Sequence, residues 1–284
     1  MSEPVAGARP KRRRRRRRAR RDNGRRGFTQ LLPNLFTTGN LAAGFYAIVK
    51  AADGDAWSAS IAIFVAGVCD FLDGRVARLA NAESRFGMEY DSIADTVSFG
   101  LAPAVIAWRA GDLHLLGWTG WVLAFLFTAC AALRLARFNV NPARFRGRFE
   151  GLPSPSAAGM VVSMVWFASF MRDLGMPLDP PPALTGLGVA LLGLLMVSPI
   201  PYLAFKTLPV RRSFPNTVLM VLGFAVILSE PKVTMPLIGA IYVSSGPVAW
   251  YWRRRTGRSL EELVPGAALP PTQTTAEEPP RTTP

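Results

Sequence analysis

Apolar residues in this chain come in long blocks, unlike the short periodic runs of a water-soluble domain. Eight blocks stand out, at residues 33–51, 56–80, 88–110, 115–138, 156–172, 183–205, 214–229 and 232–252. An α-helix needs roughly 20 mostly apolar residues to cross a bilayer. The pattern therefore predicts an all-α, polytopic membrane helix bundle with about eight transmembrane helices. Only Ser229, Glu230 and Pro231 separate the last two blocks, which predicts a tight turn. Gly and Pro interrupt several blocks, so a reading with about six spans, merging or demoting the late ones, also fits.

The polar connections give the orientation. With the N-terminus in the cytoplasm, the even-numbered connections also face the cytoplasm. They carry Arg85, then Arg144, Arg146 and Arg148, then Lys206, Arg211 and Arg212; Arg253, Arg254, Arg255 and Arg258 follow the last span. The opposite connections carry Asp53, Asp55, Asp112, His114, Asp173, Asp179 and Glu230, with few basic residues. This is the positive-inside pattern. It predicts a multi-pass protein of the cell membrane with both termini cytoplasmic.

The net charge of +14 belongs mostly to one tail. Residues 1–27 hold 13 Lys/Arg against Glu3 and Asp22, a net of +11. A like-charged run repels itself and reads as disordered. It serves as a topology signal, with contact to anionic lipid as a by-product; no nucleic-acid partner is expected. No apolar stretch with a small-residue cleavage site follows it, so no cleaved signal peptide is expected. Residues 259–284 are rich in Pro, Thr and Glu and also read as disordered. The organisation expected is an Arg-rich tail over 1–29, a membrane domain over 30–255 and a C-terminal tail over 256–284.

Ionisable residues inside membrane helices are costly and usually mark function. Asp70 and Asp73 lie three apart in the second span; Asp91 and Asp95 lie four apart at the start of the third. Those spacings put each pair on one helix face. A polar turn through Asn81, Glu83, Arg85 and Gly87 can fold the two pairs together in the cytoplasmic half of the bilayer. Four carboxylates at one point cannot all stay ionised without a cation. Hard oxygen ligands favour Mg²⁺, Mn²⁺ or Ca²⁺ over zinc. Such a set suits two ions and phosphoryl or phosphatidyl transfer. Gly74 and Ala77 leave room for a ligand beside the backbone or serve helix packing. Arg78 pairs with phosphate or snorkels to the interface. Two other readings remain: helix-end acids paired with Arg75, Arg78 and Arg85, or the ion site of a transporter. Cys69 and Cys130 have no metal-ligand spacing, and His114, the single histidine, reads as a loop residue.

The run Asp70-x2-Asp73-Gly74-x2-Ala77-Arg78-x8-Gly87-x3-Asp91-x3-Asp95 resembles the full signature of the CDP-alcohol phosphatidyltransferase family. That resemblance implies an enzyme. A CDP-linked lipid binds through its diphosphate to divalent metal, and an acceptor hydroxyl attacks the lipid-side phosphorus as CMP leaves. It makes Asp70, Asp73 and Asp91 metal ligands. Asp95 becomes the general base, also reaching metal. Gly74, Ala77, Arg78 and Gly87 line the CDP site. Thr37 and Asn40, from the segment Pro33 to Asn40, face the nucleotide or pack helices.

The segments Phe86–Ser92, Ser98–Pro103, Ala136–Asn139 and Gly151–Gly159 are similar to the phosphatidylserine synthase branch. The resemblance then implies CDP-diacylglycerol and L-serine as substrates and a homodimer. Sister acceptors, namely inositol phosphate, glycerol phosphate and choline, stay open. If serine is the acceptor, its carboxylate needs a cation. Arg137, with Asn139 beside it, is one candidate; Arg137 is equally readable as a positive-inside residue. Ser154 and Ser156 are expected to cap the fifth span. Lys206 reaches a phosphate or anchors the sixth.

Overall fold

The computed structural model of the chain describes residues 34–79, 84–140, 149–176, 178–202 and 214–256. The N-terminal tail and residues 257–284 of the C-terminal tail lie outside these residues, as do the basic residues Arg144, Arg146, Arg148, Lys206, Arg211 and Arg212.

Helix α1 spans 34–52, and its buried positions Thr37, Asn40, Gly44, Ala47 and Ala51 alternate three and four apart. That is one face of a helix of 3.6 residues per turn. The face is polar at one end and apolar at the other. Asp55 caps the next helix: its Oδ1 accepts the Ser58 N–H at 3.0 Å, filling one of the amide positions a helix start leaves open. The Ser58 hydroxyl and backbone N–H together hold the Asp55 carboxyl below the ordinary carboxylate range.

Helix α2, Ala56–Leu79, buries Ala59, Ile63, Ala66 and Asp73. The stripe that packs its first half thus carries carboxylates in its second.

A continuous helical rod follows, made of α3 (Arg85–Asp95), one π turn (Thr96–Leu101) and α4 (Ala102–Ala110). Pro103 accounts for the wide turn. It has no N–H to give the preceding turn, and its ring crowds the carbonyl four residues back. The Thr128 hydroxyl donates to the Gly100 carbonyl at 3.3 Å, the kind of side-chain repair that lets membrane helices tolerate proline. His114 sits in a short 3₁₀ turn, Leu113–Leu116, with Nδ1 3.1 Å from the Trp108 carbonyl.

The remaining helices are α5 (Trp118–Val140), α6 (Ser154–Asp173), α7 (Pro182–Val197), α8 (Phe214–Ser229) and α9 (Pro231–Thr256). The tight turn at Glu230 is present, with Pro231 in the first helical position of α9, where its missing N–H costs nothing. The eight helical stretches sit where the eight apolar blocks do. Four described helices are long and apolar enough to cross a bilayer: α2, α5, α6 and the Pro231–Trp252 portion of α9.

The sixth block was expected to run helical to residue 205, but α7 stops at Val197. Ser198 has extended backbone, with ψ 154, because the following Pro199 excludes the α conformation. Pro201–Tyr202 (β2) instead pairs antiparallel with Phe149–Glu150 (β1). Gly151 closes this junction with φ +82, and a Cβ there would stand 2.1 Å from the Met196 carbonyl oxygen. Only glycine fits such a site.

Two buried clusters hold the bundle. Ala47, Ala51, Ala59, Ala62, Ala66, Phe99, Ile106, Ala158 and Val162 join α1, α2, α4 and α6. Phe127, Cys130, Leu152, Val161, Val189, Met196 and Tyr202 fill the space among α5, α6 and α7. The first is mostly alanine. Small side chains let helix backbones approach closely, and dispersion does the rest in a bilayer. Gly44 is the extreme case: a Cβ there would lie 2.2 Å from Ser98 Oγ and 2.8 Å from Ser98 Cα.

Candidate active site

The α2–α3 hairpin brings carboxylate oxygens of Asp70, Asp91 and Asp95 within 4.8 Å of one another. Asp95 is 8% exposed and Asp73 5%. Asp73 stands beside the trio rather than in it, because α1 holds it: Thr37 Oγ1 donates to its Oδ2 at 3.0 Å. One turn further along α1, Asn40 Nδ2 donates to Asp95 Oδ1 at 2.9 Å. Asn40 is pinned in turn, its backbone carbonyl accepting the Ser98 hydroxyl at 2.9 Å. Ser98 lies in the π turn that follows Asp95. The close contact of Gly44 with Ser98 fixes how near α1 comes.

Thr37 and Asn40 therefore aim carboxylates. Their spacing of three puts both on the buried face of α1.

The donor set fits a divalent cation of the hard kind. It offers carboxylate oxygens alone, and Asp91 Oδ1 is buried with no hydrogen-bond partner in the structure. An anionic oxygen kept from water without a partner is costly, and a cation bound by the trio removes that cost.

The other signature residues frame this point. A Cβ at Gly74 would meet nothing closer than Arg78 Nη2 at 4.0 Å, so the helix face beside Asp73 is open. Arg78 is exposed and Ala77 half-buried on the last turns of α2. Gly87 donates its N–H to Ser84 Oγ at 3.0 Å, closing the N-cap of α3. A side chain there would press on Ser84 at 3.1 Å and on Asn34 of α1 at 3.5 Å.

On the other side stands α5. Arg137 is bound to Glu150, and its Nη1 points to the Val197 carbonyl at 3.5 Å. Asn139 donates to Ser92 Oγ at 2.9 Å, tying α5 to α3. One turn before Arg137 lies Arg134, which the sequence reading passed over. Its Nη1 donates to Ser154 Oγ at 3.2 Å, and its Nε is buried without a partner. The sign was available, since Arg134 is a charge amid the apolar run Ala131-Ala132-Leu133 and Leu135-Ala136.

The expected cap of the fifth span is also corrected. The residue before α6 is Pro153, which makes no side-chain cap bond; Ser154 turns to Arg134, and Ser156 hydrogen-bonds the Tyr242 hydroxyl of α9. Pro155 in the first turn supplies no N–H to be capped.

The sequence is similar to known proteins. Residues 30–191 match the CDP-alcohol phosphatidyltransferase family. The chain is 33% identical over 221 residues to the CDP-diacylglycerol–serine O-phosphatidyltransferase of Helicobacter pylori strain ATCC 700392 / 26695, covering 78% of this chain and 91% of that one. Against the enzyme of the same name from Bacillus subtilis strain 168 it is 35% identical over 175 residues, 62% of this chain and 91% of the other. A third relative of that name, from Saccharomyces cerevisiae strain ATCC 204508 / S288c, is 47% identical over 109 residues, 35% of this chain and 38% of the yeast protein. With the signature carboxylates gathered on one hairpin and a match running from α1 into α7, the chain belongs to the CDP-alcohol phosphatidyltransferase family.

Proposed function

We propose that this chain transfers the phosphatidyl group of CDP-diacylglycerol to the hydroxyl of L-serine, giving phosphatidylserine and CMP. The observation that carries the chemistry is the carboxylate trio of Asp70, Asp91 and Asp95 within 4.8 Å, with Asp95 aimed by Asn40. The serine acceptor is supported by the names of the relatives.

Asp95 is the general base. Asn40 occupies its Oδ1, which directs Oδ2 to the acceptor. The serine hydroxyl gives its proton to that oxygen, and the hydroxyl oxygen bonds to the lipid-side phosphorus. The bond from that phosphorus to the bridging oxygen breaks, and CMP departs with the electron pair. Asp70, Asp73 and Asp91, with Asp95 also within reach, would hold one or two divalent ions, Mg²⁺, Mn²⁺ or Ca²⁺, whose contribution would be to neutralise the diphosphate and the leaving group. Arg78, exposed beside open Gly74, takes the outer phosphate oxygens. Ala77 and Gly87 shape the same cleft. Burial of Asp95 keeps water from competing as nucleophile. The site faces the cytoplasm, where CDP-lipid headgroup and serine arrive, with both termini on that side. The working unit is a homodimer in the cell membrane.

The test uses the purified full chain in lipid nanodiscs with CDP-diacylglycerol, Mn²⁺ and a panel of acceptors. CMP release and a new phospholipid are expected with serine and to vanish with EDTA. Turnover with inositol phosphate, glycerol phosphate or choline and none with serine moves the chain to a sister activity. Movement of labelled solute across proteoliposomes without lipid product makes it a transporter.

A further inference from the structure

We propose that Arg134, not Arg137, binds the carboxylate of the acceptor, in a subsite formed by α5, α6 and α9 opposite Asp95. This rests on the reading that the acceptor is a hydroxy amino acid.

The starting point is cost. A guanidinium within a membrane helix is retained where it meets a partner. Of its five N–H donors, the structure satisfies Nη1 with one neutral hydroxyl, that of Ser154 at 3.2 Å. The buried Nε has no partner. Among the described residues, no carboxylate lies within the 4.0 Å of an ion pair with Arg134. A half-buried guanidinium with one neutral contact and an orphaned, buried Nε donor is half of an interaction.

What surrounds it indicates the other half. Arg134 lies within electrostatic reach of the Asp95 carboxyl, with the Tyr242 side chain also nearby. It is nevertheless too far from Asp95 to pair with it. A base on one side and a fork of N–H donors on the other, separated by more than contact distance, suit a small molecule with a hydroxyl at one end and a carboxylate at the other. Serine has that shape. Its hydroxyl meets Asp95 while its carboxylate spans the Arg134 fork, as planar guanidinium and carboxylate do. Tyr242, held by Ser156, closes the subsite from α9. Arg137 is already occupied by the protein, bound to Glu150 with its Nη1 3.5 Å from the Val197 carbonyl.

Selectivity follows. An acceptor without a carboxylate leaves Arg134 unpaired and is rejected on that ground, as sites built for a polar group reject analogues lacking it.

The experiment compares L-serine with ethanolamine and L-serinamide, using the full chain in nanodiscs with CDP-diacylglycerol and Mn²⁺. Wild type uses serine and discriminates against both analogues. Arg134→Gln raises the KM for serine at least about tenfold, the usual worth of a charge-assisted pair, and shrinks the preference for serine over ethanolamine by a similar factor. The KM for CDP-diacylglycerol stays put. Arg134→Lys keeps the charge but not the fork, so its serine KM rises severalfold with the preference retained.

An unchanged serine KM in a folded Arg134→Lys overturns the proposal even if the glutamine variant does not accumulate. So does a shift confined to CDP-diacylglycerol, which would put Arg134 on the donor phosphate. Loss of preference on Arg137→Gln that Arg134→Gln does not share reinstates Arg137. If wild type makes lipid from another acceptor and none from serine, the functional reading itself fails, and this inference with it.

Discussion

On the donor side, Asp70, Asp73, Asp91 and Asp95 lie within 26 consecutive positions of one helical hairpin. On the acceptor side, Arg134, Ser154, Ser156 and Tyr242 come from three helices, the first and last 108 positions apart. The donor side is rigid: α1 clamps it through Thr37 and Asn40, and Gly44 sits against Ser98. Both sides leave buried atoms unpartnered, but of opposite kinds: the oxygens Asp91 Oδ1 and Asn40 Oδ1 on the donor side and the N–H of Arg134 Nε on the acceptor side. Chemistry common to a family needs one fixed geometry, and a hairpin of fixed spacing provides it. Choice of acceptor needs a surface that can differ between relatives, and contacts gathered from distant segments can be changed without disturbing the hairpin. Damage on the donor side should therefore abolish turnover for every acceptor, and damage on the acceptor side should redistribute turnover among acceptors.

The largest effect is expected at Asp95. Asp95→Asn removes the base while keeping the hydrogen-bonding shape, so kcat should fall at least about a hundredfold, equally for all acceptors. Binding of CDP-diacylglycerol, followed by competition with a labelled CDP-lipid, should survive. A variant that merely trades serine for another acceptor would erase the distinction between the two sides.

Gly44→Ala tests how the donor side is held. Its methyl would meet Ser98 backbone at 2.8 Å, so α1 must move away. Overpacking of this kind costs about 1–3 kcal/mol, readable as a lower midpoint of thermal unfolding in detergent. Because the same contact positions Asn40, activity should fall at temperatures where the protein is still folded. A stable variant of normal activity would show that the clamp is looser than the contact implies. Asn40→Ala is milder, since Asp95 stays and loses one aligning bond. A loss of roughly tenfold in kcat is expected, about the worth of one hydrogen bond to a charged group, with the KM for serine little changed.

The same contrast explains what the sequence disclosed. Helix positions were legible because a bilayer demands long apolar runs, and a carboxylate cluster on one hairpin was legible because its spacing is local; that three of the four acids gather while Asp73 turns to Thr37 was not. Thr37 and Asn40 were noticed, but their role depends on which helix α1 packs against, and no local spacing encodes that. The end of α7 was misjudged because Val197-Ser198-Pro199-Ile200 reads as apolar, while the proline forces the chain out of helix. Arg134 was missed for a related reason. Charge near a helix end has an immediate explanation in topology, which drew attention to Arg137. The meaning of Arg134 rests on α6 and α9, whose approach only the fold reveals.

The smallest effect is expected from Glu150→Gln, which discriminates best between the two arginines. Glu150 binds Arg137 through an ion pair whose side chains are 36% and 27% exposed. Water screens such a pair, and its loss should cost at most about 1 kcal/mol of stability. If the acceptor carboxylate belongs to Arg134, releasing Arg137 leaves the serine KM unchanged, because the pair that is lost does not touch the acceptor. If Arg137 is the anchor, the substitution frees it from a competing carboxylate, and serine should bind more tightly, by about as much as the pair was worth. The two cases are distinct: no shift in the first, and in the second a serine KM lowered by up to about fivefold. A serine titration on this one variant, with CDP-diacylglycerol saturating, therefore separates an arginine that waits for its substrate from one already occupied by the protein.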